Sequence, residues 1–321
     1  MHSAEASSPG PSPARGEGPG AARRAREPIH GVLLLAKPVG ITSNAALQKA
    51  KWLLNAKKAG HTGTLDPFAD GLLPLCFGEA TKFSAYLLDA DKRYRAVMRL
   101  GITTRTGDPE GEVLAERPVD ASCADLAAAL PRFTGAIEQI PPMHSALKHH
   151  GRPLYEYARA GIDIERPARR VTIRALELVD CALPTATLDV QCSAGTYVRT
   201  LAQDLGDALG CGAHLTALTR IASGGFDLAD AIGLTELEAL PPEARAARLL
   251  PVDCLVTHLP RHDVDAATAR ALRQGKHPAS TLPPVPLARV YDEARRFVGL
   301  VGIGADGTLV PRRLADTSAH A

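Results

Sequence analysis

Apolar residues recur along this chain in two rhythms. Gly31–Ala36 (GVLLLA) and Leu72–Phe77 (LLPLCF) run without a polar break, which predicts strands covered on both faces. Tyr94–Leu100 alternates instead: Tyr94, Ala96, Met98 and Leu100 share one face, and Arg93, Arg95 and Arg99 the other, the period of a half-buried strand. Further strands are predicted near Thr172–Val179, Thr187–Cys192 and Leu215–Ala222. Helical spacing marks a segment capped by Thr42, Ser43 or Asn44 and reaching about Leu54, with Leu47, Ala50, Leu53 and Leu54 inward. Other helices are predicted from about Glu79 to Leu88, near Ala124–Leu130, and through Leu201, Leu205 and Leu209 up to Gly210. Between them, Gly60–Gly71 (GHTGTLDPFADG) reads as a loop, and Asp108–Gly111 as a turn that returns Glu112–Glu116 as a partner strand. Ile140–Gly161 begins irregular and basic and ends as a helix.

The pattern changes character at both ends. The first 28 residues hold no Val, Ile, Leu or Phe, so they cannot bury enough apolar area to offset ordering, and order is expected from near His30. A boundary is expected around Pro241–Pro251. Past it come a short helix (Ala266–Gln274), a strand at Ala288–Tyr291, and a hairpin of Phe297–Ile303 and Thr308–Val310 turning at Asp306-Gly307. A length of 321 residues suits about two domains.

Composition narrows the class. Hydrophobic residues are 45% and charged residues 22%, ordinary globular values, and no apolar run nears the roughly 18 residues of a membrane span. The N-terminal stretch has no apolar core of a secretory signal. The six cysteines contain no C-x-x-C pair and are expected as reduced thiols of a cytoplasmic protein. Net charge is only +2, weak for a nucleic-acid binder, but basic residues cluster at Lys49, Lys51, Lys57 and Lys58, at Lys148, Arg152 and Arg159, and at Arg166, Arg169 and Arg170. No phosphate-cradling, dinucleotide, zinc-protease or nucleophile-elbow motif is present, and no set of ligands completes a metal site around His61 and Asp66. Read from spacing alone, Asp66 and Asp70 are turn formers, and Tyr94 and Arg199 are packing or ion-pair residues.

The motifs in their order say more. Gly60–Pro67 (GHTGTLDP) followed by Gly71–Pro74 (GLLP) resembles the catalytic motif of the TruB family of tRNA pseudouridine synthases. Gly31–Ser43 (GVLLLAKPVGITS), Gly78–Lys82 (GEATK), Lys92–Gly101 (KRYRAVMRLG) and Thr106–Gly111 (TGDPEG) follow in family order. So do Ile140–Lys148 (IPPMHSALK), Leu154–Arg159 (LYEYAR), Cys192–Thr200 (CSAGTYVRT) and Gly210–Arg220 (GCGAHLTALTR), and the resemblance spans residues 30–315.

The resemblance implies an α+β pseudouridine synthase fold, with a mixed and antiparallel central sheet flanked by helices, and a small, mostly β, PUA-like C-terminal domain. It implies a disordered tail at 1–28, a catalytic domain at 29–250 with a thumb-like insertion at 140–160, an RNA-binding domain at 251–316 and a short tail at 317–321. By position, Asp66 resembles the catalytic aspartate, Tyr94 the tyrosine that stacks on the base and is placed as a general base, and Arg199 the arginine paired to the aspartate. His61 resembles the histidine used in flipping the uridine. Lys37, Lys82, Asp108, Tyr197 and Leu218 fall at pocket or structural positions assigned to substrate binding. His144 departs from the family, which has an aromatic such as Tyr there. The implied reaction converts the T-loop uridine 55 of tRNA to pseudouridine in the cytoplasm, by a monomer that contacts T-loop and acceptor end. It implies no metal, cofactor, guide RNA or membrane. A tRNA-binding or tRNA-folding protein without essential catalysis is the alternative.

Overall fold

The computed structural model describes residues 25–316. The expected tails therefore lie mostly outside the described residues. Where they overlap, the expectation is corrected: order begins before His30, because Glu27 pairs with the chain beyond the first helix. Glu27 N–H donates to the Asn55 carbonyl at 2.8 Å, and Lys57 N–H donates to the Glu27 carbonyl at 2.8 Å. Backbone pairing needs no apolar side chain, so composition did not reveal it.

A ten-stranded sheet forms the body. Its strands in chain order are β1 (Gly31–Lys37), β2 (Ala59–His61), β3 (Asp70–Phe77), β4 (Lys92–Leu100), β5 (Gly135–Gln139), β6 (Arg169–Ala182), β7 (Thr185–Cys192), β8 (Ala213–Ser223), β9 (Phe226–Asp227) and β10 (Ile232–Gly233). They lie in the order β10-β1-β3-β8-β4-β7-β6-β5, with β2 on β3 and β9 on β8. The pairs β10/β1 and β3/β8 are parallel and the others antiparallel.

The uninterrupted apolar runs have the predicted cause. In β1 and β3, Leu33, Leu35, Leu73, Leu75 and Phe77 pack against the helix Ser43–Leu53, while Val32, Leu34, Leu72 and Cys76 face a second core. That second core also holds Val252, Leu255, Tyr291, Phe297 and Leu300. The C-terminal strands β11 (Arg261–Asp263), β12 (Val285–Tyr291), β13 (Phe297–Ile303) and β14 (Leu309–Leu314) form a separate four-stranded sheet. Part of that sheet packs directly on the body through this shared apolar layer. In β4, Ala96, Met98 and Leu100 are buried beside Leu201, Leu205 and Leu215, and Arg93 and Arg95 on the opposite face share the carboxylate of Asp189.

Three local expectations are corrected. The helix from Glu79 to Leu88 is a 3-10 turn (Gly78–Lys82) and a short helix (Ala85–Leu88). Thr81 and Ser84 hydroxyls bond the carbonyls three residues back, which competes with a continuous helix. Val113–Glu116 pairs with Ile102–Thr104 rather than with β4, because both edges of β4 are already taken by β7 and β8. The cysteines are not all thiols: Cys123, at the start of the helix Cys123–Ala129, is disulfide-bonded to Cys181 in β6. Those two residues are 58 positions apart, and no local pattern joins them.

One feature of the sheet matters for the site. The edge of β3 that faces β8 is forked. At one end Asp70 and Gly71 pair with Thr219 and Arg220 of β8; at the other Leu75, Cys76 and Phe77 pair with β2. The segment 62–69 emerges from this fork.

Candidate active site

The Asp66 loop is fixed from several directions. Ser43, buried at the start of its helix, accepts from the Leu65 N–H at 2.8 Å and donates to the Leu65 carbonyl at 2.9 Å. Thr62 N–H donates to the Pro74 carbonyl at 3.2 Å, and Gly40 N–H to the Pro67 carbonyl at 2.8 Å. Leu65, Phe68 and Ala69 enter the core under β4. Asp66 is thus held at the wall of a cavity of about 430 Å³, within the range of ligand-sized pockets. His61, Tyr94, Tyr197, Arg199, Leu218 and Arg220 also line it.

Arg199, 4% exposed, lies in the first turn of the helix Val198–Ala208. Its Nε is 3.0 Å from Asp66 Oδ2, and one terminal nitrogen is 3.2 Å from Asp108 Oδ2. That nitrogen also donates to the Thr106 carbonyl at 2.9 Å, and the other to the His144 carbonyl at 2.7 Å. The planar fork of a guanidinium can satisfy all four acceptors, which an ammonium cannot. Asp108 is itself fixed by the Glu110 N–H at 3.0 Å and by the Thr106 hydroxyl. His144 holds Arg199 through its backbone carbonyl, a bond that any side chain at this position permits.

Charges in the site oppose one another. Burial pushes the Asp66 carboxyl above its ordinary value; Arg199 and Lys37 pull it down and Asp108 pushes it up. Arg199 is divided between two carboxylates, so the net effect remains upward. Lys37 is 1% exposed and donates to the Pro38 and Ile41 carbonyls at 2.9 and 2.7 Å. Burial lowers its amine to about 8, against the pull of Asp70 and Asp66. Above that pH one of the cations that hold Asp66 ionised is lost. Burial raises the Tyr94 phenol, and the charge of Arg220, its cross-strand neighbour, opposes it. Tyr94 is therefore a neutral phenol at pH 7 before substrate enters. Burial and the charge of Arg220 lower His61, whose buried Nδ1 has no partner among the described residues.

Asp66, Tyr94, Arg199, His61, Tyr197 and Leu218 thus meet in one cavity. Asp108 and Lys37 stand behind Asp66 and Arg199 without lining it. Lys82 does not join them: it donates to Glu79 at 2.6 Å and to the Leu314 carbonyl of β14 at 3.3 Å, tying body to C-terminal sheet. Two participants were missed. Ser43 was read only as a possible helix cap, and Thr42 serves that purpose instead. Arg220 was passed over, although a period of two from Leu218 sets it on the same face of β8.

Comparison with known proteins finds relatives along nearly the whole described chain. The model of the TruB family pseudouridylate synthase N-terminal domain matches residues 51–198, that of the tRNA pseudouridylate synthase B C-terminal domain residues 199–257, and that of the pseudouridine synthase II TruB C-terminal region residues 260–315. The tRNA pseudouridine synthase B of Thiobacillus denitrificans is 72% identical over 293 residues, covering 91% of this chain and 98% of that one. That of Chromobacterium violaceum is 56% identical over 302 residues, covering 93% and 99%. A crystal structure of a Cbf5-Nop10-Gar1 complex contains a chain with the same fold, at a TM-score of 0.68 and 26% identity, covering 89% of this chain and 84% of that one. With matches running from residue 51 to residue 315 and a relative nearly three-quarters identical along its length, the chain belongs to the TruB family of pseudouridylate synthases.

Proposed function

We propose that the protein converts uridine 55 in the T-loop of tRNA to pseudouridine, with Asp66 as the catalytic carboxylate. The observation that carries this reading is the Asp66 carboxylate at a ligand-sized cavity, paired to the Nε of a buried arginine at 3.0 Å. The substrate class follows from relatives named tRNA pseudouridine synthase B.

The reaction is an isomerisation. The N1–C1′ bond breaks, the base turns, and C5 bonds to C1′ with loss of the C5 proton, so no electrons are gained or lost. An ionised Asp66 can add to C1′ of the ribose or to C6 of the base, as carboxylates do in glycosidases. Either addition requires the ionised form, which Arg199 and Lys37 favour against burial. The ring of Tyr94 and the side chain of Leu218 on neighbouring strands offer faces to stack on a uracil. The Tyr94 hydroxyl is read as the general base; being a neutral phenol, it takes up a proton on its oxygen as it passes its own on. The target base must leave its stack, at a cost of a few kcal/mol, and His61 is read as the residue that fills its place.

Residues 140–160 are read as a thumb that closes over the RNA, and residues 251–316 as a PUA-like module that holds the acceptor end. Lys148, Arg152 and Arg159 are the phosphate contacts expected of the thumb. The protein is read as a cytoplasmic monomer that works without a guide RNA. Nucleoside analysis of a tRNA transcript treated with wild type and Asp66→Asn tests the assignment. Pseudouridine at position 55 is expected from wild type only; product from the variant would remove Asp66 from the mechanism, and product elsewhere would remove the T-loop assignment.

A further inference from the structure

Arg220 is the largest of the wholly buried side chains, at 1% exposure. Among the described residues, no carboxylate lies within ion-pair distance of it. Its partners are neutral: Nε donates to the Leu72 carbonyl at 2.7 Å, a terminal nitrogen to the Gly63 carbonyl at 3.3 Å, and the guanidinium also bonds the Tyr94 hydroxyl. These two carbonyls stand on either side of Asp66, at the fork in the edge of β3. The side chain therefore bridges the gap that the backbone of β8 leaves open. The fit is tight. Gly71 has φ +99°, and a Cβ there would lie 2.4 Å from the Arg220 carbonyl oxygen. A Cβ on Gly63, φ +110°, would sit 3.5 Å from the remaining terminal nitrogen, an ordinary contact, so the crowding is against the Arg220 backbone at Gly71.

The contrast with Arg199 is electrostatic. Arg199 is neutralised by two carboxylates at rest. Arg220 is a buried cation compensated by neutral dipoles, the two carbonyls and the Tyr94 hydroxyl, with no paired carboxylate among the described residues, and it lines the same cavity beside Tyr94 and Leu218. Burying an unbalanced charge is costly, and a catalyst gains from that cost when the charge is balanced in the transition state only.

We propose that Arg220 is a catalytic group that contacts the uracil and takes up the negative charge the base acquires during the reaction. When the N1–C1′ bond breaks, its electron pair leaves with the base, whose negative charge spreads over N1, O2 and O4. When Asp66 adds to C6 instead, the displaced electron pair moves through C5 to O4. In both cases the base becomes anionic; on the C6 route the N1–C1′ bond breaks after the addition. As C5 bonds to C1′ the base returns its electrons, the Asp66–C1′ or Asp66–C6 bond breaks to release the carboxylate, the C5 proton passes to a general base, and N1 takes up a proton. Arg220 keeps its own proton throughout. The proposal rests on the function assigned above.

The test compares Arg220→Met and Arg220→Lys with wild type and Asp66→Asn. Single-turnover rate, tRNA affinity and melting temperature are read for each. Arg220→Met is expected to lose about 100-fold or more in rate with affinity within about threefold, and Arg220→Lys to recover at least about tenfold of that loss because it keeps the charge. Methylguanidinium added to Arg220→Ala is expected to restore rate where an equal concentration of sodium chloride does not. A Met variant within about threefold of the wild-type rate overturns the proposal. So does a Lys variant as slow as Met at unchanged melting temperature with no rescue by methylguanidinium. If Asp66→Asn is as active as wild type, the assigned function fails instead, which separates the two failures.

Discussion

The Asp66 loop and the segment 140–161 border the same cavity but are built in different ways. The loop is fastened by distant parts of the chain: Ser43 from one helix, Pro74 and Leu72 from β3, Arg220 from β8. The segment 140–161 is held chiefly by its own residues. Arg152 bonds Glu156 at 2.8 Å and lies over the ring of Tyr157, and Arg159 lies over Tyr155. Leu154 is the one buried side chain of its short helix Leu154–Arg159. Sparse burial and local bonds belong to the parts of a protein that open most easily, and dense long-range fastening to those that do not. Arg199 joins the two regions, since it holds Asp66 and the His144 carbonyl at once. The Asp66 carboxylate stands on dense long-range fastening, and the segment 140–161 on sparse burial and local bonds, which suits the roles proposed for them.

That contrast can be broken experimentally. The largest effect is expected from Asp66→Asn, with turnover lost by about 10⁴-fold or more and tRNA affinity nearly unchanged. The same variant should melt higher than wild type at pH 7. Burial raises the Asp66 carboxyl in the fold, so the fold favours the neutral form more than the unfolded chain does, and ionisation costs stability as pH rises through the folded value. The difference should close as pH falls to the ordinary carboxylate range, where wild type is neutral too. A melting curve across pH checks this sign, and a variant less stable at pH 7 would mean that Arg199 outweighs burial.

Next comes Arg199→Lys, expected to lose roughly 100- to 1,000-fold in single-turnover rate, because a lysine cannot reach Asp66, Asp108 and the His144 carbonyl together. Ser43→Ala is a smaller lesion. It leaves the buried Leu65 N–H and carbonyl without their partner and should cost about 1–3 kcal/mol in denaturant unfolding, with a parallel loss of rate. If rate survives, the loop does not depend on that clamp. The smallest effect is expected from Arg159→Ala on the other side of the cavity. Affinity for tRNA should fall a few-fold, the slope of affinity against salt should drop by about one, and the rate at saturation should hold. A loss of rate at saturation instead would put this segment in the chemistry.

Much of this was legible in the residues. The unbroken apolar runs of β1 and β3 required cover on both faces, and the alternation in β4 required cover on one. The order of motifs named the constellation of Asp66, Tyr94 and Arg199, and these three do meet. Other features had no local trace. The division of Arg199 between Asp66 and Asp108 joins residues from three separate stretches of chain. Lys82 sits in a motif with its neighbours yet serves the contact between body and C-terminal sheet, beside Phe83 in the shared core.

The sequence by itself determined most of the strands, the main helices and the family, and brought Asp66, Tyr94 and Arg199 forward as candidates, since each is written in short-range periodicity or in a motif of a few residues. Only the tertiary structure decided how charge is distributed. Whether an arginine is neutralised by two carboxylates, as Arg199 is, or left to neutral dipoles at a fork in a sheet, as Arg220 is, depends on which strands become neighbours. That choice is made by burial of the whole apolar surface at once, and no single stretch of residues records it.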